Sequence, residues 1–188
     1  MALDNATVLN TFKQKFGNAI LHAYEPYGML TAIVEREKII EMLAFLKDDS
    51  TIKMNFLTSL CGIHYPANPG KELGVIYHLH SFTNNFRMRL EVFIPFDDPL
   101  MPTATTLWPS ANWMERETFE FYGITFEGHP DLRVILNVAD MDYHPLLKHY
   151  PLEDETRTDK DDRFFGREGN TTQTFDERPD RQYKRLEK

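Results

Sequence analysis

Glu115, Arg116, Glu117 and Glu120 fall inside an aromatic stretch that also holds Trp113, Phe119, Phe121 and Tyr122. Carboxylates and a guanidinium among aromatic side chains cost free energy unless each finds a partner. Such crowding therefore marks either a reactive site or an interface. Paired carboxylates are the parts of general acid–base chemistry. On a helix, Arg116 and Glu120 stand four residues apart and are expected to face each other, while Glu115 faces Phe119 and Tyr122. Glu117 lies beside Phe121 with no cation three or four residues away, so it needs a donor from elsewhere. No nucleophile or metal-ligand set accompanies these groups, which favours structural or interfacial ion pairing over catalysis.

Other candidate chemistry is thinner. His78 and His80 are two apart on a strand and point to one face, a spacing some zinc sites use, but no third ligand can be named. Surface histidines are the simpler reading. His129 and His144 each precede a proline, which forces extended backbone at the histidine, so loop geometry accounts for both. Gly123 and Gly128 are isolated, the GxGxxG spacing is absent, and there is no G-x-S-x-G elbow. A single cysteine, Cys61, excludes an internal disulfide and any iron–sulfur or cysteine-rich zinc site built by this chain alone. No catalytic, cofactor-binding or metal-ligating residue is therefore assigned.

These residues must be held by an ordered set of elements. Ala6 to Phe16 reads as an amphipathic helix capped by Asn5, with Val8, Leu9, Phe12 and Phe16 near helical spacing. Ile20 to Tyr24 and Met29 to Val34 predict two strands around a turn at Glu25–Gly28. Glu35 to Lys47 predicts a second helix, acidic at its start and basic at its end. Strands follow at Asn55 to His64, Leu73 to Phe82 and Arg87 to Ile94. In the last, Met88, Leu90, Val92 and Ile94 alternate with Arg87, Arg89, Glu91 and Phe93, so one face meets the core and the other water or a partner. Pro95 to Pro102 is a connection, Thr103 caps a helical turn, and Ser110 begins the helix that Gly123 ends. Strands bunched this way give a two-layer α+β domain rather than a βαβ repeat.

At 188 residues the chain is one domain, or one domain with a tail. A net charge of −8 offers no basic footprint for nucleic acid or an anionic membrane. The start of the chain lacks the basic and apolar regions of a signal peptide. No apolar run approaches the roughly 20 residues of a spanning helix, so the chain is expected to be soluble by itself. The triplets at Asn5 and Asn170 that match a glycosylation site are then accidental. Residues 151–188 carry nine basic and eleven acidic residues with only scattered aromatics. That stretch cannot form its own core and reads as an extended docking tail beyond a 1–150 domain.

The run from Leu107 to Arg133, LWPSANWMERETFEFYGITFEGHPDLR, resembles the signature of the 30 kDa subunit of respiratory complex I, the bacterial NADH–quinone oxidoreductase. The Glu-Arg-Glu triplet stands at 115–117, the turn at Tyr122-Gly123-Ile124, and the Gly-His-Pro-x-Leu-Arg element at 128–133. His144-Pro-Leu-Leu-Lys148 and Tyr150-Pro151-Leu152 resemble the family's second block. Three positions depart from the pattern: Glu120 where aspartate is usual, Val134 where a second arginine is frequent, and Leu147 where a basic residue is common.

The resemblance implies a two-layer α/β domain with a mixed, mainly antiparallel sheet and a C-terminal extension over neighbouring subunits. It implies a non-redox structural subunit of the peripheral arm of a proton-translocating NADH–quinone oxidoreductase, with FMN, iron–sulfur clusters and quinone all held by partners. Those partners would be the large quinone-pocket subunit (49 kDa type) and the small terminal-cluster subunit. Attachment to the cytoplasmic side of the cell inner membrane would come through the complex only. Two alternatives remain open: the equivalent subunit of a membrane-bound hydrogenase or a ferredoxin- or F420-dependent quinone reductase, and a stand-alone metal hydrolase using His78 and His80.

Overall fold

A computed structural model describes residues 3–150. The expected tail at 151–188 lies outside the described residues. The first helix, α1 (Asn5–Phe16), buries Val8 and Phe12. Its cap is Asp4, whose carboxylate accepts from the Thr7 amide at 2.7 Å, and not Asn5, which lies inside the helix and donates to the Gly28 carbonyl. An ionised oxygen one residue earlier is the stronger acceptor for a helix start.

β1 (Ile20–Tyr24) and β2 (Leu30–Val34) pair antiparallel around a 3₁₀ turn at Pro26–Gly28. A second 3₁₀ turn (Arg36–Lys38) leads into α2 (Ile39–Asp48), so the regular helix starts four residues later than its charge pattern suggests. Ile39, Met42, Leu43 and Leu46 form its buried stripe. The meander β3 (Phe56–His64), β4 (Leu73–Ser81) and β5 (Phe86–Ile94) follows the expected strands closely.

The five strands run in the order β1-β2-β5-β4-β3. Only β2 and β5 are parallel in this sheet, with Leu30 beside Met88 and Ala32 beside Leu90. The sheet is thus mixed and mainly antiparallel, as expected. Val75, Tyr77 and Leu79 of β4, Met88, Leu90 and Val92 of β5, and Leu30, Ala32 and Val34 of β2 join the buried helix residues in one core. The intervening residues of β4 and β5 face outward. Glu91 shares that outer face and is nevertheless buried: the Tyr24 hydroxyl donates to it at 3.0 Å and the Arg89 Nε lies 3.0 Å from its other oxygen.

The last helix, α3 (Ala111–Tyr122), packs on β3, where Gly62 leaves room for the Tyr122 ring and Thr118. A Cβ at Gly62 would collide with the Tyr122 ring. Two short strands flank this helix, β6 (Leu100–Pro102) and β7 (Thr125–Glu127), paired in parallel. The region expected to be a plain connection therefore contains a strand. Three residues are too few to show a period-two pattern.

Candidate functional site

Helix α3 is amphipathic in an unusual way: Glu115, Arg116 and Glu120 are buried together with Ala111 and Thr118. Each charged side chain is satisfied by backbone outside the helix. Glu115 is fully buried and accepts from the Thr103 hydroxyl at 2.6 Å and from the Ala104 amide at 2.7 Å. Glu120 accepts from the Ile135 amide at 2.7 Å and the Leu136 amide at 3.1 Å. Arg116 donates through Nε to the Arg133 carbonyl at 2.8 Å, and its guanidinium lies 5.2 Å from the centre of the Trp113 ring. The expected Arg116–Glu120 pairing is replaced by these reaches to residues 133–136. Each of these contacts is a charge-assisted hydrogen bond to backbone, and together they occupy the groups that would otherwise pair with each other.

The polar ends of α3 hold the rest of the segment. Gly123 closes the helix in the left-handed conformation at φ 76°, its amide donating to the Phe119 carbonyl. The His144 ring lies against it, with a distance of only 2.7 Å from Cδ2 to where a Cβ would stand. Nδ1 of His144 is 3.0 Å from the Glu120 carbonyl, and the Leu146 amide donates to the Phe121 carbonyl. Further on, the Lys148 amide donates to Nδ1 of His64 at 2.9 Å, tying the end of the described chain to β3. Burial, followed by the neighbouring His149 and Lys148, pushes the His64 pKa down.

His129 is enclosed beside Glu115. The Asp131 amide donates to its Nδ1 at 3.0 Å, which leaves Nε2 to carry the proton and donate to the Asn112 carbonyl at 3.1 Å. Its Nε2 stands 3.9 Å from Glu115. Burial drives the Glu115 pKa up to about 7, against the two hydrogen bonds that favour the ionised form. The His129 ring is thus packed into a loop corner between Asn112, Asp131 and Glu115.

Glu117 is exposed on α3, with neither a buried pair nor a hydrogen bond to the Gly128–Pro130 loop. His78 and His80 do share the outer face of β4, half-buried, opposite Arg89 and Arg87. Among the described residues no group of three or more His, Cys, Asp or Glu stands close enough to hold a metal ion. The contacts of Glu115, Arg116 and Glu120 hold the shape of the segment around α3. Sequence reasoning missed the backbone targets of the carboxylates, because residues 103–104 and 133–136 carry no pattern that announces them.

The family profile described as "Respiratory-chain NADH dehydrogenase, 30 Kd subunit" matches residues 32–156, which include every group of this clamp. The chain belongs to this family. Among its relatives is the corresponding NADH-quinone oxidoreductase subunit of Roseiflexus sp. (strain RS-1), 44% identical over 167 residues, 88% of this chain and 95% of that one. The same subunit of Ralstonia pickettii (strain 12J) is 39% identical over 153 residues, 78% of this chain and 76% of the relative. Among solved structures, a trypsin-resistant fragment (1-134) of Nqo5 shares 32% identity, with a TM-score of 0.57 over 68% of this chain and 98% of the fragment. A chain of the membrane-bound sulfane sulfur reductase, an archaeal respiratory membrane complex, has a TM-score of 0.66 at 20% identity. It covers 78% of this chain and 85% of that chain, a likeness of fold alone. The family is that of a subunit of an oxidoreductase complex, complex I, and membership entails association with other complex I subunits. Among the described residues no helix is long and apolar enough to cross a membrane.

Two of the three departures from the family pattern acquire physical reasons in this geometry. Leu147 is buried in the core, where a basic side chain would lose its hydration. Glu120 carries one methylene more than aspartate, and its carboxylate spans to the Ile135 and Leu136 amides.

Proposed function

We propose that this chain is the non-redox structural subunit of the peripheral arm of a proton-translocating NADH–quinone oxidoreductase. It binds no flavin, cluster or quinone and contributes by holding neighbours in register while electrons pass through them. One observation carries the reading: three charges of the family signature, Glu115, Arg116 and Glu120, turn inward onto this chain's own residues, so this part of the signature builds a shape. Glu115, Arg116 and Glu120 leave no free nucleophile or acid aimed at solvent. The neighbours are the large quinone-pocket subunit and the small subunit with the terminal cluster. The chain is peripheral, on the cytoplasmic side of the inner membrane, attached through the complex.

The test is purification of the full chain from its native membranes under mild detergent, with mass spectrometry of the partners. An NADH- and flavin-binding subunit together with both named neighbours is the expected result. A stable assembly without an NADH-binding subunit would overturn the NADH reading. Removal of residues 151–188 is expected to release the chain from that assembly, and normal assembly of the shortened chain would refute the docking role of the tail.

A further inference from the structure

The sheet face turned away from the helices carries an arrangement that the fold itself does not need. In the register of β4 and β5, His78 stands opposite Arg89 and His80 opposite Arg87. Two successive cross-strand pairs thus set an imidazole against a guanidinium, and burial, with Arg89 beside it, holds the His78 pKa down. The two guanidinium charges on this face want carboxylate partners, and cross-strand pairs of opposite sign are the usual solution. The acid nearest to hand, Glu91, is already shared by the Tyr24 hydroxyl and Arg89 Nε. Among the described residues, Nδ1 of His78 and Nε2 of His80 are shielded from solvent yet have no hydrogen-bond partner, and the Arg89 Nε contact with Glu91 is out of line for a hydrogen bond. Buried donors and acceptors in this state cost stability until something pairs with them.

Beside these basic groups lies exposed aromatic surface. Phe56 is 41% and Phe82 62% exposed, their ring centres 5.0 Å apart, and the His80 ring lies 4.7 Å from that of Phe82. A flat strip with an apolar end and a basic middle matches a partner of the opposite order: a carboxylate flanked by apolar residues. The rest of the chain points the same way. Its net charge of −8 repels nucleic acid and an anionic lipid surface at long range, whereas a single carboxylate on a protein segment needs only the local basic strip.

We infer that the outer face of β3–β5, centred on Arg89, His78 and His80, docks an acidic segment of a neighbouring protein chain. The inference rests on the subunit reading above and names the face and the chemistry through which the subunit is held.

The experiment uses the full chain in its membrane assembly, with a photo-reactive phenylalanine analogue at Phe82. Irradiation followed by peptide sequencing is expected to join Phe82 to a neighbouring subunit within a few residues of an aspartate or glutamate. Arg89→Glu should lower that cross-link at least tenfold, Arg89→Lys should largely keep it, and exchanging the partner's acid for lysine should restore it in Arg89→Glu. If Arg89→Glu disturbs folding, Arg87→Glu makes the same test from an exposed position. A cross-link to lipid, to nucleic acid or to a second copy of this chain would overturn the inference. So would no cross-link at all from a chain that still co-purifies with the assembly. A chain that fails to co-purify with any respiratory complex would instead refute the subunit reading beneath it.

Discussion

Replacing Glu120 by alanine removes the one acceptor that the Ile135 and Leu136 amides share. The carboxylate is 3% exposed and takes those amides at 2.7 and 3.1 Å. A hydrogen bond to a charged group contributes about 1.5–3 kcal/mol net, and a buried donor left unpaired costs a further share of its desolvation. Leu136 is 64% exposed, so water can reach its amide once the carboxylate has gone, whereas Ile135 is half-buried. Counting one bond in full and the other in part gives a loss of about 2–4 kcal/mol for Glu120→Ala. For a domain of this size that lowers the Tm by roughly 4–16 °C. Glu120→Gln keeps one oxygen but turns an amino group toward the second amide, so it should lose about 1–2 kcal/mol. Urea unfolding of the purified full chain measures both, and hydrogen exchange at Ile135 and Leu136 shows whether the change is local. A Glu120→Ala chain within about 0.5 kcal/mol of wild type, with those amides still protected, would refute the clamp as described.

Three further outcomes follow from the same geometry. Arg116→Ala should cost about 1.5–3 kcal/mol, the value of a charged donor to one carbonyl, and not the 3–5 kcal/mol of a broken buried ion pair; chemical denaturation separates the two. Because burial raises the Glu115 pKa from 4.5 to about 7, the folded chain holds a proton there that the unfolded chain releases above pH 4.5. Its contribution is therefore fully present below pH 4.5 and is lost as pH rises through about 7, by up to about 3 kcal/mol, and urea titrations of wild type against Glu115→Gln should diverge across that window. Gly123→Ala should destabilise by at least about 1–2 kcal/mol, since the left-handed backbone disfavours a Cβ and the His144 ring stands 2.7 Å away; a thermal melt checks it.

The sequence made the regular elements legible because their periods are long enough to read. Met88, Leu90, Val92 and Ile94 alternate over a whole strand, and Ile39, Leu43 and Leu46 mark a helical stripe. The same reading placed α3 between Ser110 and Gly123 with its boundaries nearly right. It mispaired Arg116 and Glu120 because a spacing of four residues says which side chains are neighbours on the helix, and nothing about competing backbone amides from residues 133–136. Glu117 looked as demanding as Glu115 in one dimension. Three dimensions distinguish them, since Glu115 and Thr118 share the face turned to the core while Glu117 points to water. β6 and β7 escaped notice because their pairing is set by the helix between them, a relation no local pattern records.

The lone parallel pairing in the sheet also bears on the order in which the chain folds. The hairpin of β1 and β2 closes over the short Pro26–Gly28 turn, and the β3-β4-β5 meander likewise closes over neighbouring sequence. The seam from Leu30 to Met88 can form only after the whole stretch between them has been looped back, with the accompanying entropy loss. Two locally assembled halves must therefore meet in the correct register along β2 and β5. Until they do, each presents an open strand edge, and at high concentration the edge of one molecule competes for the edge of another.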